Sequence, residues 1–436
     1  MGFSLEALVS RLKRRALRNR RLLKWATMRR RATLGHVTFI TVTGSCGKTT
    51  TTALSTAILS SAGHCQSGMA WEFGKLAKTI RAIGPSTKFC FYELGATGPG
   101  SLAEPLQVIK PQIGIVTNIG GDHYRSFRGI EATALEKGRL VECLPQDGIA
   151  ILNADDPNVR AMARRTRARI VSYGRGEGTD LRATKVSSPW PDRLSLTVTY
   201  GQKSVRVETQ LVGEHWMTSV LAASACGLAC GVDLKTCANV VKTIEPVFGR
   251  YSVHNRSDGG TYVLDTRKAP FWTIAHGLAF VACARAARKT IVIGTISDYP
   301  GAGGARYRRV ARQALEVAER VIFVGPNSAS VEKLRMGETR DKLFTFQTTY
   351  QASAFLSREG HLPGELIYVK ASGADHLERL MLAELDQVVC WRERCGRTSE
   401  CLVCPQYHIP KPPPLGLGRP GVPAFTGEDV ELDSLS

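Results

Sequence analysis

No stretch of the 436-residue chain approaches 18 consecutive apolar residues, so a membrane-spanning helix is not expected. No apolar segment follows the basic N-terminal run, which argues against a cleaved secretory signal. Acids are scarce at that end. Glu6 is the only one before residue 37, against eleven Lys and Arg between Arg11 and Arg31. Aromatic residues make up only 7% of the chain. No aromatic-rich RNA platform or other nucleic-acid motif accompanies the positive charge, so a specific nucleic-acid partner is not expected. Internal repeats are also lacking.

What is present is enough for a globular protein. Apolar residues make up 43% of the chain, and its length allows two or three domains with their own cores. Half of the formal +20 charge lies in the first 36 residues. Leu5, Leu8, Val9, Leu12 and Ala16 recur there at helical spacing, so residues 1–36 read as a basic amphipathic arm. Three roles fit such an arm: lying on an anionic membrane surface, holding a polyanion, or remaining solvated.

Strand and helix patterns then alternate. Strands are expected at 37–42, 88–94, 113–119 and 149–153, with a helix over 47–62. Strands alternating with helices predict a parallel sheet covered on both faces. Alternating stretches at 194–200 and 204–211 flank Gly201 and predict an antiparallel hairpin appended to that sheet. Helices follow at 214–230 and 234–244. A second α/β unit begins near Tyr251, with strands at 261–264, 289–296, 321–324, 343–346 and 366–370. The expected fold is α/β: a P-loop parallel-sheet domain over 37–250 and a smaller Rossmann-like domain over 251–388. A Cys-rich tail over 389–408 and a disordered Pro/Gly-rich tail over 409–436 complete the chain.

The sharpest motif is Thr43-Gly44-Ser45-Cys46-Gly47-Lys48-Thr49-Thr50, between the first strand and the first helix of the parallel-sheet domain. Glycines let backbone N–H groups approach phosphate oxygens, and the helix N-terminus adds favourable partial charge. Lys48 is expected to reach the β- and γ-phosphates of a nucleotide, and the Thr49 hydroxyl to ligate Mg²⁺.

The twelve cysteines divide into eight scattered ones and a cluster of Cys390, Cys395, Cys401 and Cys404, followed by His408. Scattered cysteines, no secretory signal and a nucleotide site together predict a reducing cytoplasm, with the arm allowing peripheral contact at the inner face of the membrane. Cys401-x-x-Cys404 is half of a tetrahedral zinc site, and a metal would order a tail too short to bury a core. Unpaired or reactive thiols are the alternative.

The phosphate loop places its glycines closer together than the usual Walker A form, and in this it resembles the Mur ligase family, in particular its MurF-type branch. The likeness continues in order through Tyr92-Glu93-Leu94-Gly95-Ala96, Thr117-Asn118-Ile119-Gly120 with Asp122-His123, and Glu136-Lys137-Gly138. It extends through Leu144-Pro145 to Asn153-Ala154-Asp155-Asp156, and over roughly residues 38–385 in all.

The resemblance implies an ADP-forming ligase that phosphorylates a carboxylate and couples the acyl-phosphate to an amine. ATP and Mg²⁺ would be required. By the same resemblance Glu93 shares a first Mg²⁺ with Thr49, and His123 serves a second. Lys137 aligns with a lysine that many members carbamylate. Asn153, Asp155 and Asp265 approach the nucleotide, Arg250 contacts phosphate at the hinge, and Lys268 is a further cation. Only about forty residues precede the loop, too few for the UDP-sugar domain of peptidoglycan members, so a non-standard substrate is expected. The family's Gly-x-His-Asn stands here as Gly213-Glu214-His215-Trp216, and the Lys-Gly-Ser-Arg of MurF-type members as Lys370-Ala371-Ser372-Gly373. The latter change lies on the amine side. An ATP-binding scaffold or partner subunit, and a polyanion- or membrane-binding ATPase, are the competing functions.

Overall fold

The computed structural model describes residues 20–69, 72–385, 387–397 and 399–408. The expected disordered tail and the first half of the arm, with its Leu5 to Ala16 stripe, lie outside the described residues.

The first sheet has nine strands in the order β2-β3-β1-β4-β5-β6-β7-β8-β9. They are β1 Thr38–Thr43, β2 His64–Met69, β3 Thr87–Glu93, β4 Ile113–Val116, β5 Ile149–Asn153, β6 Arg169–Gly174, β7 Leu181–Ser187, β8 Ser195–Tyr200 and β9 Lys203–Glu208. The pairs from β2 through β7 run parallel, and β7-β8-β9 is an antiparallel meander. β1, β3 and β4 are almost wholly buried, as a sheet covered on both faces requires. The phosphate-loop strand β1 sits between β3 and β4, so the C-terminal ends of all three open onto one crevice. The expected hairpin is present. β2, β6 and β7 were not evident from periodicity, because they mix small and polar residues (His-Cys-Gln-Ser-Gly-Met in β2) and lack a clean apolar pattern.

The second sheet contains β10 Ser252–Asn255, β11 Thr261–Asp265, β12 Lys289–Ile293, β13 Arg320–Val324, β14 Leu343–Phe346 and β15 Leu366–Lys370, in the order β10-β11-β15-β12-β13-β14. All pairs are parallel except β10-β11. Five of these strands match the expected runs. β10 is a short edge strand that periodicity alone missed.

The described part of the basic arm is not free. Arg20–Ala32 is a helix packed on the helices Phe73–Ala82 and Ala103–Ile109. Its arginines satisfy carbonyls left over where those helices end. Arg31 donates to Ile109 O at 2.6 Å and to Lys110 O at 2.9 Å, and Arg30 donates to Ile83 O at 2.5 Å. The Arg31 guanidinium also lies 3.7 Å from the Phe39 ring centroid. Arg30 and Arg31, expected with the rest of the arm to face a membrane surface, a polyanion or solvent, are spent on helix C-termini.

Candidate active site between the two sheets

The loop after β1 is built for close backbone approach. Gly44 has φ 151°, and a Cβ there would lie 1.9 Å from Thr117 Oγ1. Gly47 has φ 81°, which only glycine adopts without strain. Neighbouring strands pin the loop. Ser45 N donates to Asn118 O at 2.9 Å, Cys46 N to Asn118 Oδ1 at 2.8 Å, and Thr117 Oγ1 to Cys46 O at 2.6 Å. Lys48 Nζ folds back onto Gly44 O at 2.7 Å. Burial lowers the Lys48 pKa, and Lys268 pushes it further the same way.

The cavity beside this loop has a volume of about 390 Å³ and walls from both domains. Ser45 to Thr50, Glu93, Asp122 and His123 come from the first, Asp265, Arg267, Lys268 and Lys370 from the second, and Arg250 from the hinge between them. Several contacts close the two together. Lys268 Nζ stands 3.7 Å from Asp122 Oδ1, and Tyr124 N donates to Asp298 Oδ1 at 3.3 Å. Trp272 packs against Gly120 so closely that a Cβ there would be 2.4 Å from its ring.

At the centre lies a buried charge cluster. Glu93 ends β3 at 5% exposure, Asp122 is 2% exposed and Lys137 is 0% exposed. Lys137 Nζ is 3.6 Å from Asp122 Oδ2, and His123 Nε2 is 3.7 Å from Asp122 Oδ1. Yet Glu93 Oε2, Asp122 Oδ1 and Lys137 Nζ have no hydrogen-bond partner. Donor-less buried carboxylate oxygens beside a phosphate cradle suit a hard divalent cation. Burial drives the Lys137 pKa down to about 7, with Lys48 adding to the effect. Burial also lowers that of His123. Burial opposes ionisation of Asp122, but Lys268, Lys48 and Lys137 outweigh it and hold its pKa below the usual range.

Most of the residues singled out from sequence meet here. Gly44 sits at the end of β1, beside this cavity, while Ser45, Cys46, Gly47, Lys48, Thr49, Thr50, Glu93, His123, Arg250, Asp265 and Lys268 line it, with Lys137 buried against Asp122. Asp265 is already engaged by Lys370 Nζ at 2.5 Å and by Tyr368 OH at 3.3 Å. Asn153 and Asp155 do not line the cavity. Asn153 Nδ2 braces Thr117 O at 2.7 Å, and Asp155 accepts from Arg175 N at 2.9 Å. Asn153 Oδ1 also accepts from Asp155 N at 3.0 Å, so their polar atoms tie the turn after β5 to the segments that follow β4 and β6. His215 is a packed aromatic, stacked on His276 with centroids 5.3 Å apart.

Sequence reasoning gave Asp122 and Lys370 no chemical role and missed Glu400 altogether. For Asp122, adjacency to His123 was the available signal. The tail cysteines also converge: Cys390, Cys395, Cys401 and Cys404 line one small void with His376. His408 does not line it. All twelve thiols are free.

The profile of the Mur ligase middle domain matches residues 42–227. The UDP-N-acetylmuramoyl-tripeptide–D-alanyl-D-alanine ligase of Mycobacterium tuberculosis is 29% identical over 365 residues, covering 78% of this chain and 71% of that one. The fold is shared with MurF of Acinetobacter baumannii (TM-score 0.75, 23% identity, 84% of this chain and 80% of that one). It is shared also with MurF ligase of Thermotoga maritima in complex with ADP (TM-score 0.73, 18% identity, 83% and 82%).

Proposed function

We propose that this chain is a member of the Mur ligase family of ATP-dependent amide-bond-forming ligases, and that it couples a carboxylate to an amino acid or peptide amine through the cluster of Lys48, Glu93, Asp122, His123 and Lys137. The observation that carries this is the set of partnerless buried atoms on Glu93, Asp122 and Lys137 beside the phosphate loop. An ATP-binding scaffold has no need to bury such groups at a desolvation cost of several kcal/mol each, roughly.

Lys48 swings from Gly44 O to the β- and γ-phosphates, and the loop amides hold the same oxygens. The substrate carboxylate attacks the γ-phosphate, giving an acyl-phosphate and ADP. The amine then adds to the acyl carbon, and the tetrahedral intermediate collapses to the amide and inorganic phosphate. Lys268 from the second domain and Arg250 from the hinge offset the negative charge that gathers as two anions meet. The Trp272–Gly120 contact and the Asp298–Tyr124 bond exclude water from the acyl-phosphate.

Mg²⁺, which the family uses, would supply further charge neutralisation. Thr49, Glu93 and Asp122 would hold one ion, with His123 and a carbamylated Lys137 serving a second. A lysine poised near 7 carries the neutral amine that CO₂ requires.

The acceptor is where this chain parts from its relatives. Lys370-Ala371-Ser372-Gly373 lacks the arginine of MurF-type members, and Lys370 is tied to Asp265. Arg267 and Glu400 line that side instead. The amine substrate therefore differs from the D-alanyl-D-alanine named for the relatives.

Attachment to an anionic bilayer belongs to the same reading. The helix Arg20–Ala32 leaves Leu22 and Trp25 exposed at 49% and 57%, beside its outward arginines. A structural zinc in the cysteine tail also belongs to it.

The experiment is ADP and phosphate release by purified protein with Mg²⁺, across pools of amino acids, dipeptides and carboxylated precursors, with Lys48→Ala as control. Substrate-dependent release abolished by Lys48→Ala supports a ligase. Nucleotide binding without release under every pool moves the reading to a scaffold or a subunit of a partner enzyme. Sedimentation with phosphatidylglycerol but not phosphatidylcholine vesicles, lost in Trp25→Ser, tests the bilayer contact.

A further inference from the structure

The tail after the last helix, Glu378–Leu385, folds back onto the second domain, and one buried side chain nails it there. Arg379 is 1% exposed and donates to four tail or flanking carbonyls: Asp375 O at 3.3 Å, His376 O at 3.1 Å, Cys390 O at 3.0 Å and Arg392 O at 3.2 Å. Around it lies a void of about 20 Å³, large enough for one ion or water. Its walls hold five candidate soft donors: four tail thiols and the imidazole of His376.

Two of these donors already meet. Cys395 Sγ lies 3.2 Å from His376 Nε2. A thiolate and an imidazole bound to one tetrahedral zinc stand about 3.5 Å apart, from their usual bond lengths. The other imidazole nitrogen, Nδ1, faces Glu378 Oε1 at 3.2 Å, so a carboxylate orients the ring and leaves Nε2 aimed at the thiols. The same carboxylate accepts from Cys401 N at 3.2 Å, which fixes the start of the Cys401-x-x-Cys404 turn. His376, Glu378 and Cys401 each offer a ligand atom, all within 4.8 Å of one another. His376 comes from the domain rather than the tail, and no sequence spacing links it to the cysteines.

We infer that His376, Cys395, Cys401 and Cys404 bind one zinc ion, Glu378 orienting the histidine, and that this ion staples the tail so that Glu400 forms a wall of the central cavity. Glu400 precedes the Cys401-x-x-Cys404 turn and lines that cavity, with Oε1 3.6 Å from Arg267 Nη1. Binding requires the thiols to release their protons, and the three thiolates with a neutral imidazole leave the site a net single negative charge that Arg379 balances. The role of Glu400 as an active-site wall rests on the ligase reading; the zinc itself does not.

The test uses the full chain, expressed with added zinc and freed of loosely bound metal. One zinc per chain is expected, released on titrating the thiols with a mercurial. His376→Ala should lose the ion, His376→Cys should keep it, and Cys283→Ser, at an exposed thiol elsewhere, should not matter. In cobalt-loaded protein the thiolate charge-transfer band should rise by about one third in His376→Cys, from three thiolates to four. Zinc-free wild-type protein, or full zinc in His376→Ala, would overturn the site. Loss of zinc in Cys390→Ser with retention in Cys404→Ser would overturn this ligand set. Should zinc bind but its removal leave substrate KM unchanged, the wall formed by Glu400 is refuted and the metal site stands.

Discussion

Replacing Lys137 by methionine keeps the length of the side chain and removes its titration. In the fold this lysine is 0% exposed and its pKa falls to about 7, from 10.5 in the unfolded chain. Between those two values the unfolded state binds one proton more than the folded state, so this group makes stability rise with pH. The slope is about 1.4 kcal/mol per pH unit, or about 2.7 kcal/mol between pH 7.5 and 9.5. Above about 10.5 the cost of the buried lysine has vanished, and below about 7 it is at its full value. Lys137→Met lacks this term, while other titrations largely cancel in the comparison. Urea unfolding of nucleotide-free protein, followed by tryptophan fluorescence in CO₂-free buffers, should show the wild type gaining on the variant over that interval. Parallel pH profiles would refute the reasoning, because they would mean that Lys137 stays charged in the fold. The variant should also be inactive, since a methionine cannot be carbamylated.

Gly44→Ala forces a Cβ to within 1.9 Å of Thr117 Oγ1 at a left-handed φ, so nucleotide affinity by calorimetry should fall at least about 100-fold. Asp122→Asn removes the carboxylate shared by Lys137, Lys268 and His123, and turnover should drop by about two to three orders of magnitude with the fold intact by circular dichroism. Glu365 is fully buried between Arg288 and Arg320, each at 2.6 Å. Glu365→Ala should destabilise the second domain by about 3–5 kcal/mol in denaturant unfolding, because it strands two guanidiniums. Burial raises the Glu365 pKa, but His361, Arg288, Thr290 and Arg320 together hold it well below the usual value, so this stabilisation persists above pH 4.5 and is lost only in stronger acid.

The phosphate loop was legible because its chemistry is local: glycines, a lysine and a hydroxyl within eight residues, between a buried strand and a helix. The same holds for Glu93 at the end of β3, where strand geometry alone sets the carboxylate at the crevice. Periodicity was enough for β1, β3, β4, β5 and five strands of the second sheet, most of them buried on both sides. It failed at β2, where pairing to β3 rather than side-chain pattern defines the strand.

Linear order could not say which polar groups are already engaged. Asn153 and Asp155 sit in a motif that points to the nucleotide, yet their atoms are bonded to the segments that follow β4 and β6. The basic run near the N-terminus looked like free charge until Arg30 and Arg31 met the carbonyl ends of helices more than fifty residues away. Asp122 gained its importance only when Lys268 approached across the domain boundary, and His376 only when the tail folded back beside it. Composition and short motifs determined the fold class, the glycine-rich loop between β1 and its helix, and the family likeness, because those depend on contacts close in sequence. Which charges are buried, paired or left without a partner was decided by tertiary structure, since the desolvation that gives such groups their reactivity exists only once distant segments exclude water together.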